Sequence, residues 1–222
     1  MRAKQDRPTY AMSKRRRNGI IVLFLLFVVL LVRLDHGAAG GRWRYRLSSQ
    51  DQSQKDQEKY HAGTFKVVDV IDGDTIDIGI SDAANGRTRI RLLGIDAPET
   101  RSEHSEAMYF GSQATEFAKD LMLGQSVTLY LDTPNPTRDK YHRLLAYVRL
   151  PDGRFANEVL LTEGFAYADV RFPHSLFNKY RQLEASARSR AKGLWPNVTP
   201  DQLPKWRRAS TDDRRQTTED GR

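Results

Sequence analysis

The sequence predicts an α+β domain in which five β-strands close as a barrel and three α-helices cover it. Apolar and β-branched residues alternate with polar ones through much of residues 64–95, which is the period of a half-buried strand. Later segments place apolar residues at helical spacing instead. The chain has no cysteine, so disulfides and zinc–thiolate sites are excluded and the fold must depend on its core.

The predicted strands are separated by clear turn signals. Asp72-Gly73 favours a hairpin between the first two strands, because glycine accepts a positive φ. In the third strand Thr88, Ile90 and Leu92 share one face, and arginines occupy the other. The five strands are predicted at residues 64–71, 75–80, 87–95, 126–131 and 144–150.

Three amphipathic segments predict the helices. They cover residues 112–123, 157–163 and 175–192, and each is followed or ended by a glycine, the residue suited to a helix C-terminus. The resulting order is β-β-β-α-β-β-α-α. We therefore predict a five-stranded OB-fold type β-barrel with three α-helices.

Charge is unevenly distributed along the chain. Residues 1–60 carry 13 Lys and Arg against 5 Asp and Glu, whereas residues 61–203 carry 17 against 19. The net charge of +8 therefore belongs to the flanks, and the pI near 9.8 is weak evidence for nucleic-acid binding.

An apolar run near the N-terminus predicts export. Residues 1–18 form a basic segment expected to stay in the cytoplasm, and residues 19–34 are a hydrophobic signal anchor or signal peptide. The uninterrupted run, residues 19–32, is shorter than the roughly 20 residues of a membrane span and matches the centre of a signal peptide. A buried helix of a soluble protein is the alternative reading.

The remaining boundaries follow from composition. Residues 35–61 are predicted to be a flexible linker, residues 62–200 the folded domain and residues 201–222 a disordered polar tail. Arg33 and Asp35 make a poor cleavage region, so we favour a membrane anchor with the domain on the extracytoplasmic side. Secretion after signal cleavage is the alternative.

Two acidic turns are the candidate site. Asp72-Gly73-Asp74 and Asp96-Ala97-Pro98-Glu99 each end an apolar strand, and Arg91 lies on the strand between them. Either turn alone is explained by local turn preferences. Together they supply the carboxylates that a hard divalent cation needs. The five histidines have no metal-binding spacing.

Four ordered motifs carry a resemblance to a known family. They are IDGDT at residues 71–75, RLLGIDAPE at 91–99, DKYHRLLAYV at 139–148 and KGLW at 192–195. In this order they resemble the thermonuclease, or staphylococcal nuclease-like, family over about residues 64–195. The resemblance implies a five-stranded barrel with three helices and a Ca²⁺-dependent phosphodiesterase that acts on DNA and RNA.

The resemblance also implies roles for individual residues. Asp74, Asp96 and the backbone carbonyl of Ala97 resemble the Ca²⁺ ligands. Glu99 resembles the carboxylate that orients or deprotonates the attacking water. The remaining matches are Arg91 and Arg143 on the scissile phosphate, and Lys140 and Tyr141 on a terminal phosphate of bound nucleotide.

The sequence departs from the family pattern at three points. Ala97 replaces a threonine, His142 replaces the glycine before Arg143, and residues 169–173 lack a tyrosine for base stacking. Phe172 is the aromatic residue available there. Substrate preference between DNA and RNA therefore stays open.

Two classes of function remain. The first is an exported or membrane-tethered nuclease, monomeric in its catalytic domain, with nucleic acid as substrate. The second is a non-catalytic OB-fold module that binds nucleic acid or protein. All five residues of the catalytic pattern are present, namely Asp74, Arg91, Asp96, Glu99 and Arg143. A binding module has no need of the full set, so the sequence favours catalysis.

Overall fold

A closed five-stranded barrel forms the centre of the computed structural model of the protein. The structure describes residues 40–82, 85–100, 107–133 and 135–208, with side chains from residue 50 onward. The strands are β1 Thr64–Asp72, β2 Thr75–Ile78, β3 Thr88–Leu92, β4 Ile95–Asp96, β5 Ser126–Tyr130, β6 Leu144–Arg149 and β7 Tyr167–Ala168. The barrel order is β1-β2-β3-β6-β5, which confirms the predicted architecture.

Strand pairing brings distant parts of the chain together. β1 pairs antiparallel with β2 and β5, and β2 pairs antiparallel with β3. β3 and β6 run parallel, with Arg91 opposite Leu145. Outside the barrel, β4 pairs with β7, so that Asp96 lies opposite Tyr167. This small sheet places Asp96 beside β7, and no pattern in the sequence predicts that pairing.

The barrel interior is aliphatic, as the alternating pattern predicts. Ile90 and Leu92 are buried, while Arg89, which precedes Ile90, faces outward and pairs with Asp77. Burying such side chains stabilises the fold by about 1.5–3 kcal/mol each. The largest buried aliphatic residues are Ile76, Ile78, Ile90, Leu92, Ile95, Leu129, Leu144 and Leu160.

The described part of the chain contains four α-helices, a short 3-10 helix and a further helical turn at residues 205–208. The α-helices are α1 Gly40–Tyr60, α2 Gly111–Met122, α3 Ala156–Thr162 and α4 Phe177–Ser189, and the 3-10 helix is Pro200–Gln202. Helices α2 to α4 match the three predicted segments to within a few residues. The prediction of only three helices is wrong, because α1 was not expected.

The flexible linker predicted over residues 35–61 is replaced by α1 from Gly40 onward. By contact density the chain divides into residues 1–51 and residues 52–222. Of the first unit, the structure describes only residues 40–51, which are helical. In the second unit, Asp56 and Tyr60 are buried against the barrel. The sequence pattern did not predict this helix, because the helix has few apolar residues and its contacts are mostly polar.

The folded region also extends further towards the C-terminus than predicted. Residues 201–208, which the sequence assigns to a disordered tail, comprise the end of the 3-10 helix and a helical turn at residues 205–208, and they pack on the domain. Pro204 is buried, and Trp206 contacts a second apolar cluster that includes Tyr167, Leu194 and Trp195. Residues 209–222 lie outside the described residues.

None of the helices that the structure describes is long and apolar enough to cross a membrane. The hydrophobic segment predicted at residues 19–34 lies outside the described residues.

Candidate active site

The turn between β1 and β2 buries a carboxylate. Asp74 is 5% exposed, and its Oδ1 accepts a hydrogen bond from the Thr75 hydroxyl at 3.0 Å. Its Oδ2 accepts the backbone N–H of Ala97 at 2.6 Å. The backbone N–H of Asp74 donates to Asp72 Oδ1 at 3.0 Å, which stabilises the turn locally. Asp74 thus joins the two acidic turns directly.

Gly73 permits this close approach. A Cβ added at Gly73 would lie 2.6 Å from Cβ of Ala97 and 3.2 Å from Cβ of Ala114 on α2. Distances below 3.0 Å are not tolerated between such atoms, so any side chain here would push the turns apart. The hairpin preference of Asp-Gly predicts a turn, but the contact with Ala97 is visible only in the structure.

Arg91 lies between the two aspartates that resemble metal ligands. Its Nη1 is 2.5 Å from Asp74 Oδ2, and its Nη2 donates to Asp96 Oδ1 at 2.7 Å. The Arg91 side chain is only 13% exposed, so water screens these charges weakly. The structure therefore brings Asp74, Arg91 and Asp96 together.

Negative charge exceeds positive charge at this cluster. Burial raises the pKa of Asp74 well above its ordinary value, and the neighbouring Asp72 and Asp96 raise it further, whereas Arg91 lowers it. Burial lowers the pKa of Arg91, but Asp74 and Asp96 outweigh burial and raise it overall. The guanidinium groups of Arg91 and Arg171 are outnumbered by the carboxylates of Asp72, Asp74, Asp96 and Glu99, which is the condition that favours binding of a further cation.

Asp96 has two partners that the sequence analysis missed. Arg171 Nη2 donates to Asp96 Oδ1 at 3.0 Å, and Trp206 Nε1 donates to Asp96 Oδ2 at 2.9 Å. Arg171 also binds Asp169 through Nε and Nη2, each at 2.8 Å. The pairing of β4 with β7 brings residues 169–171 close to Asp96. No sequence motif predicts this pairing.

Glu99 lies at the exposed rim of the cluster, and its backbone is held firmly. Its carbonyl accepts the N–H of Met108 at 2.9 Å. A Cβ at Gly111 would lie 2.2 Å from that carbonyl, so the start of α2 depends on glycine at this point. Partial burial raises the pKa of Glu99, with Asp72 and Asp96 adding to the rise while Arg91 and Arg143 oppose it.

Arg143 is oriented by a neighbouring turn. Asp139 Oδ1 accepts the backbone N–H groups of Tyr141 and Arg143, each at 2.9 Å, while Oδ2 accepts Arg143 Nε at 2.7 Å. Arg143 immediately precedes β6, in which Leu145 lies opposite Arg91, and both arginines act on the pKa of Glu99. His142, which stands in place of a glycine, takes φ +63° and so keeps the left-handed turn.

Lys140 and Tyr141 lie on the surface beside Arg143. Tyr141 is 66% exposed, and its ring centre is 4.8 Å from Lys140 Nζ and 5.4 Å from Arg143 Cζ. Phe172 is 63% exposed on the segment that follows Asp169. These exposed rings are available for contact with a ligand, and neither is needed by the core.

The donor chemistry at the cluster suits a hard cation. Asp74 and Asp96 share one guanidinium, and Ala97, whose N–H contacts Asp74, also carries the carbonyl that the resemblance assigns to the metal. Oxygen atoms of this kind are the ligands of Ca²⁺, which takes 6–8 of them. Within the described residues no three or more acidic, histidine or cysteine side chains are grouped as a metal site. Water and substrate oxygens would have to complete the set.

Comparison with known proteins identifies relatives along the same region. A family model described as "Staphylococcal nuclease homologue" matches residues 89–197. The thermonuclease of Staphylococcus intermedius is 34% identical over 185 residues, which span 83% of this chain and 98% of that protein. The thermonuclease of Staphylococcus hyicus is 36% identical over 135 residues, or 60% and 76%. An uncharacterized endonuclease of Escherichia coli is 34% identical over 142 residues, or 64% and 81%.

Proposed function

The chain belongs to the staphylococcal nuclease family and is a nuclease, and on that premise we propose that it hydrolyses phosphodiester bonds in DNA, RNA or both with Ca²⁺ as its cofactor. The observation that carries this proposal is the buried Asp74–Arg91–Asp96 cluster. Its two carboxylates share the Arg91 guanidinium, and burial, together with the neighbouring Asp72 and Asp96, raises the pKa of Asp74.

The metal would be held by Asp74, Asp96 and the carbonyl of Ala97. When bound, Ca²⁺ supplies Lewis-acid stabilisation of the negative charge on the phosphoryl oxygens. A divalent ion would compensate the negative charge that is buried at this site. Without such an ion, a buried carboxylate tends to take up a proton instead.

Glu99 is the general base in this proposal. The raised pKa strengthens it as a proton acceptor near neutral pH, and its position at the rim leaves access for water. A water molecule gives a proton to Glu99 as its oxygen bonds to phosphorus. The bond from phosphorus to the leaving oxygen then breaks on the opposite side.

Arg91 and Arg143 stabilise the charge that develops on the phosphate. Both are permanently charged, planar forks that match two phosphoryl oxygens at once. Each is already oriented by aspartate, Arg91 by Asp74 and Asp96 and Arg143 by Asp139, so little reorganisation is needed as the charge develops. Lys140 and Tyr141 are placed to bind a further phosphate, and Phe172 is the candidate for base stacking.

The proposal is tested by cleavage of single-stranded DNA and RNA by the full-length chain, with Ca²⁺ or with EGTA. We expect cleavage that requires Ca²⁺ and returns when the ion is restored. A circular single-stranded substrate, which has no ends, separates internal from terminal cleavage. Full activity in EGTA would rule out the Ca²⁺ assignment, and binding of nucleic acid without cleavage would favour the non-catalytic module.

We further propose that the nuclease domain acts outside the cytoplasm, with residues 19–34 as a membrane anchor. The support comes from the basic residues 14–17 ahead of the apolar run and from the poor cleavage region around Arg33. A reporter fused after residue 208 should be active only when exported, and the full-length chain should be recovered with membranes. A soluble product that begins near residue 40 would support secretion instead, and uncleaved chain in the cytoplasm would exclude both.

A further inference from the structure

A tryptophan near the end of the described chain contacts one of the proposed metal ligands. Trp206 Nε1 donates to Asp96 Oδ2 at 2.9 Å, and 110 positions of sequence separate the two residues. Trp206 lies beyond the last motif that resembles the family, in the part that composition assigns to a disordered tail. This segment therefore makes a specific hydrogen bond to the candidate site, although its composition is that of a chain in water.

Residues 204–208, which we call the C-terminal clamp, are held by several contacts. Both Nη atoms of Arg207 bind the carboxylate of Glu184 on α4, with 2.8 Å between Nη2 and Oε2. The backbone N–H groups of Arg207 and Arg208 donate to the Pro204 carbonyl, and Pro204 is buried. The clamp is therefore fixed to the domain independently of Asp96.

Arg171 completes the contact between the clamp and the site. Its Cζ lies 4.7 Å from the Trp206 ring centre, and its Nη2 donates to Asp96 Oδ1 at 3.0 Å. Each oxygen of Asp96 thus accepts a hydrogen bond, Oδ1 from arginines and Oδ2 from the indole. These bonds fix the rotation of the carboxylate about its Cβ–Cγ bond.

The neutral indole suits this task. A carboxylate has about four lone-pair sites, so one donor on Oδ2 leaves room for a cation on the same group. An arginine donor also brings positive charge, which opposes a metal ion, whereas Trp206 orients Asp96 without adding charge. Outer hydrogen bonds of this kind typically change metal affinity by about 10–100-fold.

We propose that Trp206 is a positioning residue for Asp96, and that the functional nuclease domain extends through the C-terminal clamp to residue 208. The inference rests on the proposed Ca²⁺ site. Trp206 does not touch substrate or metal in this assignment. It acts by holding the Asp96 carboxylate in the orientation that binds the ion.

The test compares two tryptophan-to-phenylalanine variants of the full-length protein in detergent micelles. Trp206→Phe removes the indole N–H but keeps a ring against Arg171. Trp195→Phe is the matched control, since Trp195 belongs to the same apolar cluster and its Nε1 has no hydrogen-bond partner among the described residues. We expect Ca²⁺ affinity, measured by titration calorimetry, to fall about tenfold or more in Trp206→Phe and to change less than twofold in Trp195→Phe.

The indole N–H signals of the nuclear magnetic resonance spectrum give a second measurement. The chain contains three tryptophans, and the Trp206 signal is the one missing in Trp206→Phe. Addition of Ca²⁺ should shift this signal more than that of Trp195, because the metal withdraws electron density from the acceptor carboxylate. A residue with only a structural role would show no such response.

The possible results separate the two proposals. Equal Ca²⁺ affinity in the two variants, at matched thermal stability, would overturn the role of Trp206. Tighter binding in Trp206→Phe would overturn it as well, since the clamp would then oppose the metal. Absence of Ca²⁺ binding in the unmodified chain would instead defeat the proposed cofactor, before any variant is made.

Discussion

Two clusters in this protein have the same composition, one arginine between two aspartates, and differ in how completely their charges are paired. Arg91 joins Asp74 and Asp96, while Arg138 joins Asp56 and Asp82. The arginine side chains are almost equally buried, at 13% and 12% exposure. Burial alone therefore does not distinguish a functional cluster from a structural one.

The Arg138 cluster is saturated with donors. Arg138 Nε and Nη2 bind the two oxygens of Asp56 at 2.8 and 2.7 Å, and the Thr137 hydroxyl adds a bond of 2.7 Å. Burial would raise the pKa of Asp56, but the bonds from Arg138, Thr137 and Gln52 outweigh it and lower that pKa overall. This cluster fixes α1 to the loop before β6 and has no need of a further cation.

The Arg91 cluster is left short of positive charge. Asp72 and Glu99 lie in the same electrostatic environment as Asp74 and Asp96, and the pKa of Asp74 moves in the direction opposite to that of Asp56. At Asp74 burial and the neighbouring carboxylates prevail over Arg91, whereas at Asp56 the hydrogen bonds from Arg138, Thr137 and Gln52 prevail over burial, and a raised pKa of this kind is typical of functional sites. Replacement of single aspartates in the two clusters should therefore affect activity in one cluster and stability in the other.

The largest effect is expected at the Arg91 cluster. Asp74→Asn should lower the cleavage rate by at least about a hundredfold, because an amide supplies no charge to a Ca²⁺ site. Asp77→Asn is the matched control, since Asp77 is buried to nearly the same extent on β2, the strand that follows Asp74, but pairs with Arg89. Initial rates on single-stranded DNA measure both, and comparable losses in the two variants would contradict the assignment.

The second test separates transition-state from ground-state binding. Arg143→Ala should lower kcat by about a hundredfold or more, because a charge clamp strengthens as the phosphoryl charge grows. Tyr141→Ala should act mainly on KM, since an exposed ring contacts the bound nucleotide in the ground state. Steady-state kinetics distinguish the two, and a change of KM alone in Arg143→Ala would remove that residue from the chemistry.

At the Arg138 cluster, a substitution should lower stability and leave activity nearly unchanged. Asp56→Asn removes one charge from a buried pair and should lower the free energy of unfolding by about 3–5 kcal/mol. Activity per folded molecule should stay within about twofold of the parent, unlike that of Asp74→Asn. Urea unfolding gives the first quantity, and initial cleavage rates divided by the folded fraction give the second. A stability loss in Asp74→Asn as large as in Asp56→Asn would remove the distinction between the clusters.

The two aspartates also predict opposite pH dependences in EGTA. The pKa of Asp56 is lower in the folded state, so its stabilising contribution is present above the unfolded pKa of about 3.9 and is lost as pH falls through the folded pKa. The pKa of Asp74 is higher in the folded state, so stability declines as pH rises from about 3.9 towards the folded pKa. Urea midpoints from pH 3 to 8 should show a smaller acid loss in Asp56→Asn and a smaller neutral decline in Asp74→Asn.

The smallest effect is expected at His142, which lies between the Arg138 cluster and Arg143 of the candidate site. Arg138 Nη1 donates to the His142 carbonyl at 3.0 Å, and this holds the left-handed turn before Arg143. His142→Gly should raise the free energy of unfolding by about 1 kcal/mol, because glycine adopts that conformation without strain. His142→Ala is the control and should give no gain. Thermal melts measure both, and destabilisation by glycine would show that the imidazole itself contributes.

The predictable part of the fold came from local patterns. The alternation in residues 64–92 placed Ile90 and Leu92 inside and Arg89 outside, as observed. Helix α1 was missed because its described inward contacts rely on Asp56 and Tyr60, whereas polar composition normally indicates a chain in water. The helix is held by an ion pair whose partner, Arg138, lies 82 positions away.

The sequence by itself determined which chemical groups stand at the strand ends: the acidic turns around Asp74 and Asp96, with Arg91 on the strand between them. Local turn preference and side-chain alternation are sufficient for that, since both act over a few residues. Only the tertiary structure decided that Gly73 lets the turns touch, and that Arg171 and Trp206 reach Asp96. Those contacts depend on closure of the barrel and on the β4–β7 pairing, which bring together residues that no local pattern relates.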